Sequence, residues 1–178
     1  NEKMNISSIV EEKEIIIRHF LDSLSPIPIL RELNCWDLSN KYVDLGCGGG
    51  FPGVPIKIVE PEINIDFAEV NKKKVCFLNE VILNLKLYNT NIVDSSTGKV
   101  NEDYNVIITR AFGSIKKIVQ EAKKYFKENG KIIAYKGKED KVLNEINELS
   151  NKYKNKLIFR KVITPFLNEE RHIIIIKI

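Results

Sequence analysis

Asp44-Leu45-Gly46-Cys47-Gly48-Gly49-Gly50-Phe51-Pro52-Gly53 follows a short apolar run, Tyr42-Val43-Asp44-Leu45, and leads into a helical pattern from Val54 to Val59. Four glycines in the five positions from Gly46 to Gly50 let the backbone take positive φ angles and approach a ligand closely. One or two glycines make a turn, and each further one costs entropy on folding, so their density points to ligand binding. In an open α/β sheet the ligand lies beyond the carboxyl ends of the strands, where the strand order reverses.

Outward from this turn, strands and helices alternate. Residues 8–24 carry Ile9, Ile16, Phe20, Leu21 and Leu24 at helical spacing, and Pro26 and Pro28 break the pattern. Strands are expected at 63–68, 89–93, 104–109, 131–135, 157–163 and 172–178 in addition to 42–45. Helices are expected over 72–87, where Val75, Leu78, Val81, Ile82 and Leu85 form one apolar face, and over 115–126 and 139–153. Asn129-Gly130 stops the second of these helical stretches. This order predicts a seven-stranded, mostly parallel Rossmann-like sheet with helices on both faces. The last two strands lack an intervening helix, so an antiparallel edge strand is expected. The 178 residues fit one domain, with 1–30 as a helical extension and 41–178 as the core. Asn1 in place of a methionine suggests that an upstream piece is missing.

Composition narrows the classes. With 43% hydrophobic and 29% charged residues, the chain reads as an ordinary globular protein. A net charge of +4 permits a polyanionic partner without requiring one. Cys35, Cys47 and Cys76 make no CxxC pair or zinc pattern, and this odd, sparse set fits a reducing, cytoplasmic setting. Apolar runs such as Ile173–Ile176 fall far short of the roughly 20 residues of a membrane span. No metal site and no membrane partner are expected.

The ligand class follows from charge and register. A Walker A loop is absent. A GxGxxG match on Gly48, Gly50 and Gly53 lies well past the strand end and encloses Pro52, a poor register for a dinucleotide. Asp44 at the strand end suits a cationic ligand: S-adenosylmethionine carries an ammonium that a carboxylate can orient. The alternative is that Asp44 simply hydrogen-bonds the turn amides. Glu69 stands 23 residues after Gly46, where an acid commonly binds ribose hydroxyls, a feature shared by NAD and S-adenosylmethionine.

Several ordered motifs then resemble the RsmG (GidB) family. Asp44 to Ile58, DLGCGGGFPGVPIKI, is similar to its cofactor loop, with Phe51-Pro52-Gly53-Val54-Pro55 the most diagnostic part. Arg18-His19-Phe20-Leu21-Asp22-Ser23-Leu24 and Met4-Asn5-Ile6-Ser7 resemble its N-terminal segments, and Glu69 to Leu78, EVNKKKVCFL, resembles the block after the second strand. Thr109-Arg110-Ala111, Tyr135-Lys136-Gly137-Lys138 and Glu170-Arg171-His172 match the remaining segments, so the likeness spans the chain. Cys47 stands where Ser or Thr is usual, Glu69 replaces Asp, and Ser96-Thr97-Gly98 replaces Arg-x-Glu.

The resemblance implies a class I S-adenosylmethionine-dependent methyltransferase fold and methylation of a guanine N7 in 16S ribosomal RNA. It implies a cofactor site of Asp44, Gly46, Gly48, Gly50, Phe51, Glu69, Val70, Asn71, Ser96, Thr97, Gly98 and Arg110. An RNA-facing rim of Arg18, His19, Lys136, Arg171 and His172 follows in the same way. The expected partner is 16S ribosomal RNA or a small-subunit precursor, met by a monomer. Guanine N7 has an in-plane lone pair and no proton to lose, so no obligate acid–base pair is expected, and Arg110 and Lys136 are candidates for substrate positioning. None of the three cysteines follows a proline, which disfavours pyrimidine C5 chemistry. Two alternatives stand beside this reading: an NAD-dependent oxidoreductase, for which no Ser/Tyr/Lys constellation can be assembled, and a non-catalytic RNA-binding or assembly factor with a degenerate cofactor pocket.

Overall fold

A computed structural model of the chain describes residue 9 and residues 11–94, 100, 103–126 and 129–178. Seven strands form one sheet: β1 (Lys41–Leu45), β2 (Asn64–Glu69), β3 (Ile92–Asp94), β4 (Val106–Arg110), β5 (Lys131–Lys136), β6 (Leu157–Val162) and β7 (Arg171–Lys177). Their spatial order is β3-β2-β1-β4-β5-β7-β6. Pairing is parallel from β3 through β5, whereas β7 runs antiparallel to both β5 and β6. The order reverses between β1 and β4, and the glycine-rich turn leaves β1 at that switch point.

Alternation along each strand divides the core in two. Val43, Leu45, Ile107, Ile132, Ala134, Ile174 and Ile176 pack on one face with Ile115, Ile118 and Val119 of α6 (Ile115–Ala122). Tyr42, Ile65, Val106, Ile108, Ile133, Ile173 and Ile175 face the other way, against Ile56 of α4 (Gly53–Val59) and Ile27 and Leu30 of α3 (Ile27–Glu32). Burial on both faces explains why β4, β5 and β7 read as apolar runs rather than alternating ones.

Expected boundaries shift where local chemistry competes. The helical stretch over 8–24 is, in its described part, α1 (Glu12–Ile15), a π-helical segment (Ile16–Leu21) and α2 (Asp22–Leu24). Pro28 does not break a helix but lies in the first turn of α3, where its missing N–H costs nothing. β3 begins three residues later than expected: Asn89 takes a left-handed φ of 54°, and the Asn91 amide donates to the Asp66 side chain (Oδ1, 2.8 Å) while its carbonyl already accepts from Phe67 N of β2. The single helix expected over 139–153 is split into α7 (Glu139–Asn147) and α8 (Asn151–Lys154), with Ser150 as the N-cap of the second. α5 (Lys72–Leu85) starts at Asn71, whose side chain accepts from the Lys73 and Lys74 amides. β6 forms the sheet edge, and the reversed strand β7 is inserted between it and β5.

Gly53 packs so closely that a Cβ there would lie 2.4 Å from the Phe67 ring and 2.8 Å from Asp44 Oδ2. Gly53→Ala is therefore expected to destabilise the protein by about 1–3 kcal/mol, the cost of overpacking. Urea unfolding measures this, and unchanged stability would show that the turn relaxes freely.

Candidate active site

The turn after β1 is held in a left-handed course by Gly46, Gly48 and Gly50, with φ of 67°, 58° and 89°. A Cβ on Gly46 would lie 2.3 Å from the Phe112 ring, so contact as well as conformation demands glycine there. The Gly46 amide donates to Ala68 O at 2.9 Å, tying the turn to the end of β2. Glu69 completes the attachment: Oε2 accepts from the Gly48 amide at 3.0 Å, and Oε1 from the Val70 and Asn71 amides at 2.8 Å each. A carboxylate offers about four acceptor positions, so Glu69 keeps capacity for a hydroxyl.

Asp44 is fully buried. Its Oδ2 accepts from the Gly53 amide at 2.8 Å, while Oδ1 is buried with no hydrogen-bond partner among the described residues. One oxygen thus anchors the turn, as the turn-amide reading of Asp44 expects, and the other has no partner among the described residues. Burial is the main reason its carboxyl is pushed up to about 7, against the pull of the Gly53 amide and Arg110. Burial also pushes the Cys47 thiol well above its ordinary value, which fits a packing residue rather than a nucleophile.

Across the switch point, Arg110 at the end of β4 is fixed at both terminal nitrogens. Nη1 donates to Arg18 O and Asp22 Oδ2 at 3.2 Å each, and Nη2 lies 3.2 Å from His19 Nδ1. Asp22 is buried and its Oδ1 also accepts from Arg171 Nε at 2.9 Å and Thr164 Oγ1 at 3.3 Å. Glu169 accepts from Arg18 at 2.5 Å and Arg171 at 3.1 Å, and Arg18 also pairs with Glu14. The His19 ring stacks on Phe51 at 4.5 Å with an 18° tilt, and the Arg110 guanidinium sits 5.4 Å from the same ring.

Two clefts meet here. One, of about 240 Å³, is lined by Gly46 to Gly49, Phe51 and Lys74. The other, of about 410 Å³, is lined by Thr109, Phe112, Gly113, Tyr135, Lys136 and Arg171 among others. His19, Arg110 and Ala111 line both. Ala111 holds a left-handed φ of 58°, a strained backbone for a non-glycine residue at this junction.

The sequence-expected residues are thus partly united. Gly46, Gly48, Phe51 and Arg110 line the first cleft, Glu69 holds its wall through the Gly48 amide, Asp44 lies buried beneath the turn against Gly53, and Gly50 is turned inward against Val54 and Leu78. Asn71 is committed to capping α5, and Val70 is exposed. Ser96, Thr97 and Gly98 lie outside the described residues. Two residues of the expected RNA rim are held by contacts within the protein. His172 is buried, stacked on Phe159 at 4.9 Å and bonded to Gly137 O at 2.7 Å, because β7 is a central strand that turns it inward. Lys136 is drawn into an internal pair with Glu145 at 2.7 Å and donates to Gly113 O at 2.6 Å, leaving little of it for phosphate. Asp22, Phe112 and Lys74 join the site without having been singled out for it. The Arg18-to-Leu24 motif held Asp22, but nothing in the sequence shows that two distant arginines converge on it. Among the described residues no cluster of three or more His, Cys, Asp or Glu is arranged to hold a metal, and no helix is long and apolar enough to cross a membrane.

The free site carries a stability cost. Asp44 has a folded-state value raised above its ordinary 3.8, so the folded chain binds more protons than the unfolded one between about 4 and 7. Stability of the ligand-free protein is therefore expected to fall as pH rises through that window, and Asp44→Asn is expected to flatten this fall. Urea titrations of both proteins across the window measure it, and identical slopes would contradict the assignment to Asp44.

Comparison with known proteins agrees with this geometry. The family described as rRNA small subunit methyltransferase G matches residues 1–174. The chain is 33% identical to "Ribosomal RNA small subunit methyltransferase G" of Acetivibrio thermocellus, over 99% of this chain and 74% of that protein. It is 34% identical to the protein of the same name from Desulforamulus reducens, over 99% and 75% of the two chains. In three dimensions it resembles a SAM-dependent methyltransferase from Aquifex aeolicus, with a TM-score of 0.62, 14% identity and 94% of each chain covered, a likeness of fold. A sheet order that reverses at a glycine turn, and a match along nearly the whole sequence, lead to one conclusion: the chain belongs to the rRNA small subunit methyltransferase G family.

Proposed function

We propose that this chain methylates N7 of a guanine in 16S ribosomal RNA, using S-adenosylmethionine held in the glycine-turn cleft. The observation that carries the reading is the meeting of two clefts at Arg110, His19 and Ala111, in a chain of a ribosomal RNA methyltransferase family. The first cleft fits the cofactor. The unpartnered Asp44 Oδ1 is an acceptor suited to an ammonium, Glu69 retains acceptor capacity for a ribose hydroxyl, and the glycines let backbone approach closely. When bound, S-adenosylmethionine supplies an electrophilic methyl on a sulfonium.

The second cleft suits a base. Its walls include Phe112, Tyr135 and the Arg110 guanidinium, and a guanine splayed out of folded RNA could enter it. N7 attack removes no proton, so the residues at the junction need only orient the base and exclude water. Arg110 is suited to orient the base because its guanidinium is fixed by Asp22, His19 and Arg18 O before substrate arrives. Neither alternative class gains support: the family match and the unsatisfied Asp44 oxygen both favour a working cofactor site over a nicotinamide site or a degenerate one.

Calorimetric titration is expected to show binding of S-adenosylmethionine and none of NAD. Gly46→Arg is expected to abolish binding, since any Cβ there meets Phe112. For the target atom, nucleoside analysis of 16S RNA from cells with and without the gene is expected to show 7-methylguanosine lost with the gene. Unchanged 7-methylguanosine would sink the N7 assignment.

A further inference from the structure

His19 is placed by the π-helical segment, at the point where the N-terminal helices face the carboxyl ends of β1 and β4. An arginine guanidinium has only donors, so the 3.2 Å contact between Arg110 Nη2 and His19 Nδ1 is a hydrogen bond when Nδ1 keeps its lone pair, that is, in the neutral imidazole with its proton on Nε2. The same ring lies flat on Phe51 at 4.5 Å, and Phe20 closes the edge of Phe51 at 5.6 Å. His19 thus touches both Arg110 and Phe51, and it lines both clefts.

We propose that His19 is a positioning residue for methyl transfer, which as a neutral acceptor holds Arg110 and Phe51 in register at the seam between the two clefts. The proposal rests on the methyltransferase reading above, and it assigns His19 to the seam rather than to an RNA-facing rim. The charges facing His19 support the neutral form. Burial first, and then Arg110 from β4, lower its pKa, while Asp22 one turn along and the Arg18 backbone carbonyl oppose them. Arg18 beside it on the π segment is paired with Glu14 and Glu169. Lys74 of α5, Lys136 of β5 and Arg171 of β7 are the other cations lining the two clefts, and Lys136 is paired with Glu145. Protonation of Nδ1 would replace the hydrogen bond with two facing cations, so Arg110 would lose one of its anchors as pH falls.

Steady-state kinetics with 16S RNA, for the wild type, His19→Ala and His19→Asn, separate positioning from RNA contact. The alanine variant is expected to lose about 10- to 100-fold in kcat, the scale of a displaced orienting group. Its KM for RNA and its calorimetric Kd for S-adenosylmethionine are expected to stay near wild type. Asparagine places an acceptor oxygen near the Nδ1 position, so His19→Asn is expected to recover most of kcat and to lose the acid limb of the wild-type pH profile. Independently of activity, nitrogen-15 spectra of the free protein, which has only two histidines, are expected to show His19 with an unprotonated Nδ1 at neutral pH. Wild-type kcat in the alanine variant, a loss confined to KM for RNA, or a protonated Nδ1 would overturn the role given to His19. Absence of methyl transfer by the wild type would instead overturn the reading on which it rests.

Discussion

The buried carboxylate of Asp22 ties together parts of the chain that are far apart in sequence. It accepts from Arg110 at the end of β4, Arg171 at the start of β7 and Thr164 in the loop before β7. Through these bonds the N-terminal helices are fastened over the carboxyl ends of the strands, where the sheet alone would leave an open edge. Desolvating such ions is costly, and the cost is offset only when the carboxylate is fully bonded. Removing Asp22 would leave two arginines facing each other with no shared acceptor. Arg110 would then keep only Arg18 O and His19 as anchors, and its place against Phe51 would loosen.

A second constraint lies at the glycine turn, where stability is sacrificed for binding. Asp44 is buried with one oxygen unsatisfied, and Ala111 holds a left-handed backbone across the seam. Each feature is unfavourable in the free protein: Asp44 lies buried beneath the glycine turn, and Ala111 lines both clefts. Glu69 keeps the turn from relaxing: with three amides on one carboxylate, it fixes the turn to the end of β2 before any ligand binds. The glycine cleft is therefore largely preformed, in keeping with a reaction that depends on orientation rather than on acid–base chemistry.

Much of this was legible in the sequence. The glycine turn after an apolar strand placed the site at the carboxyl edge of a parallel sheet, and the alternation of strands and helices gave all seven strands in order. Asp44 and Glu69 stood out because each stands at the end of a strand, where α/β sites gather their side chains, and Arg110 at the end of β4 was marked by the resemblance. What was not legible was long-range. The insertion of β7 between β5 and β6 depends on pairing rather than on pattern, and it turned His172 into a buried residue. The sequence marks Lys136 for an RNA-facing rim, and its pair with Glu145, nine residues on, forms only once α7 has packed. Asp22 and Arg171 are 149 positions apart, and no local period reports such a contact.

The central claim is that cofactor and base occupy the two clefts that meet at Arg110, His19 and Ala111. A crystal structure of the chain with S-adenosylhomocysteine and a guanine nucleotide tests it most directly. The account predicts the thioether sulfur on the glycine-turn side of this junction, the ammonium at Asp44, and the base between Phe112 and Tyr135 with N7 turned toward the sulfur. A base seated elsewhere, or a cofactor whose ammonium leaves Asp44 unpaired, would contradict it.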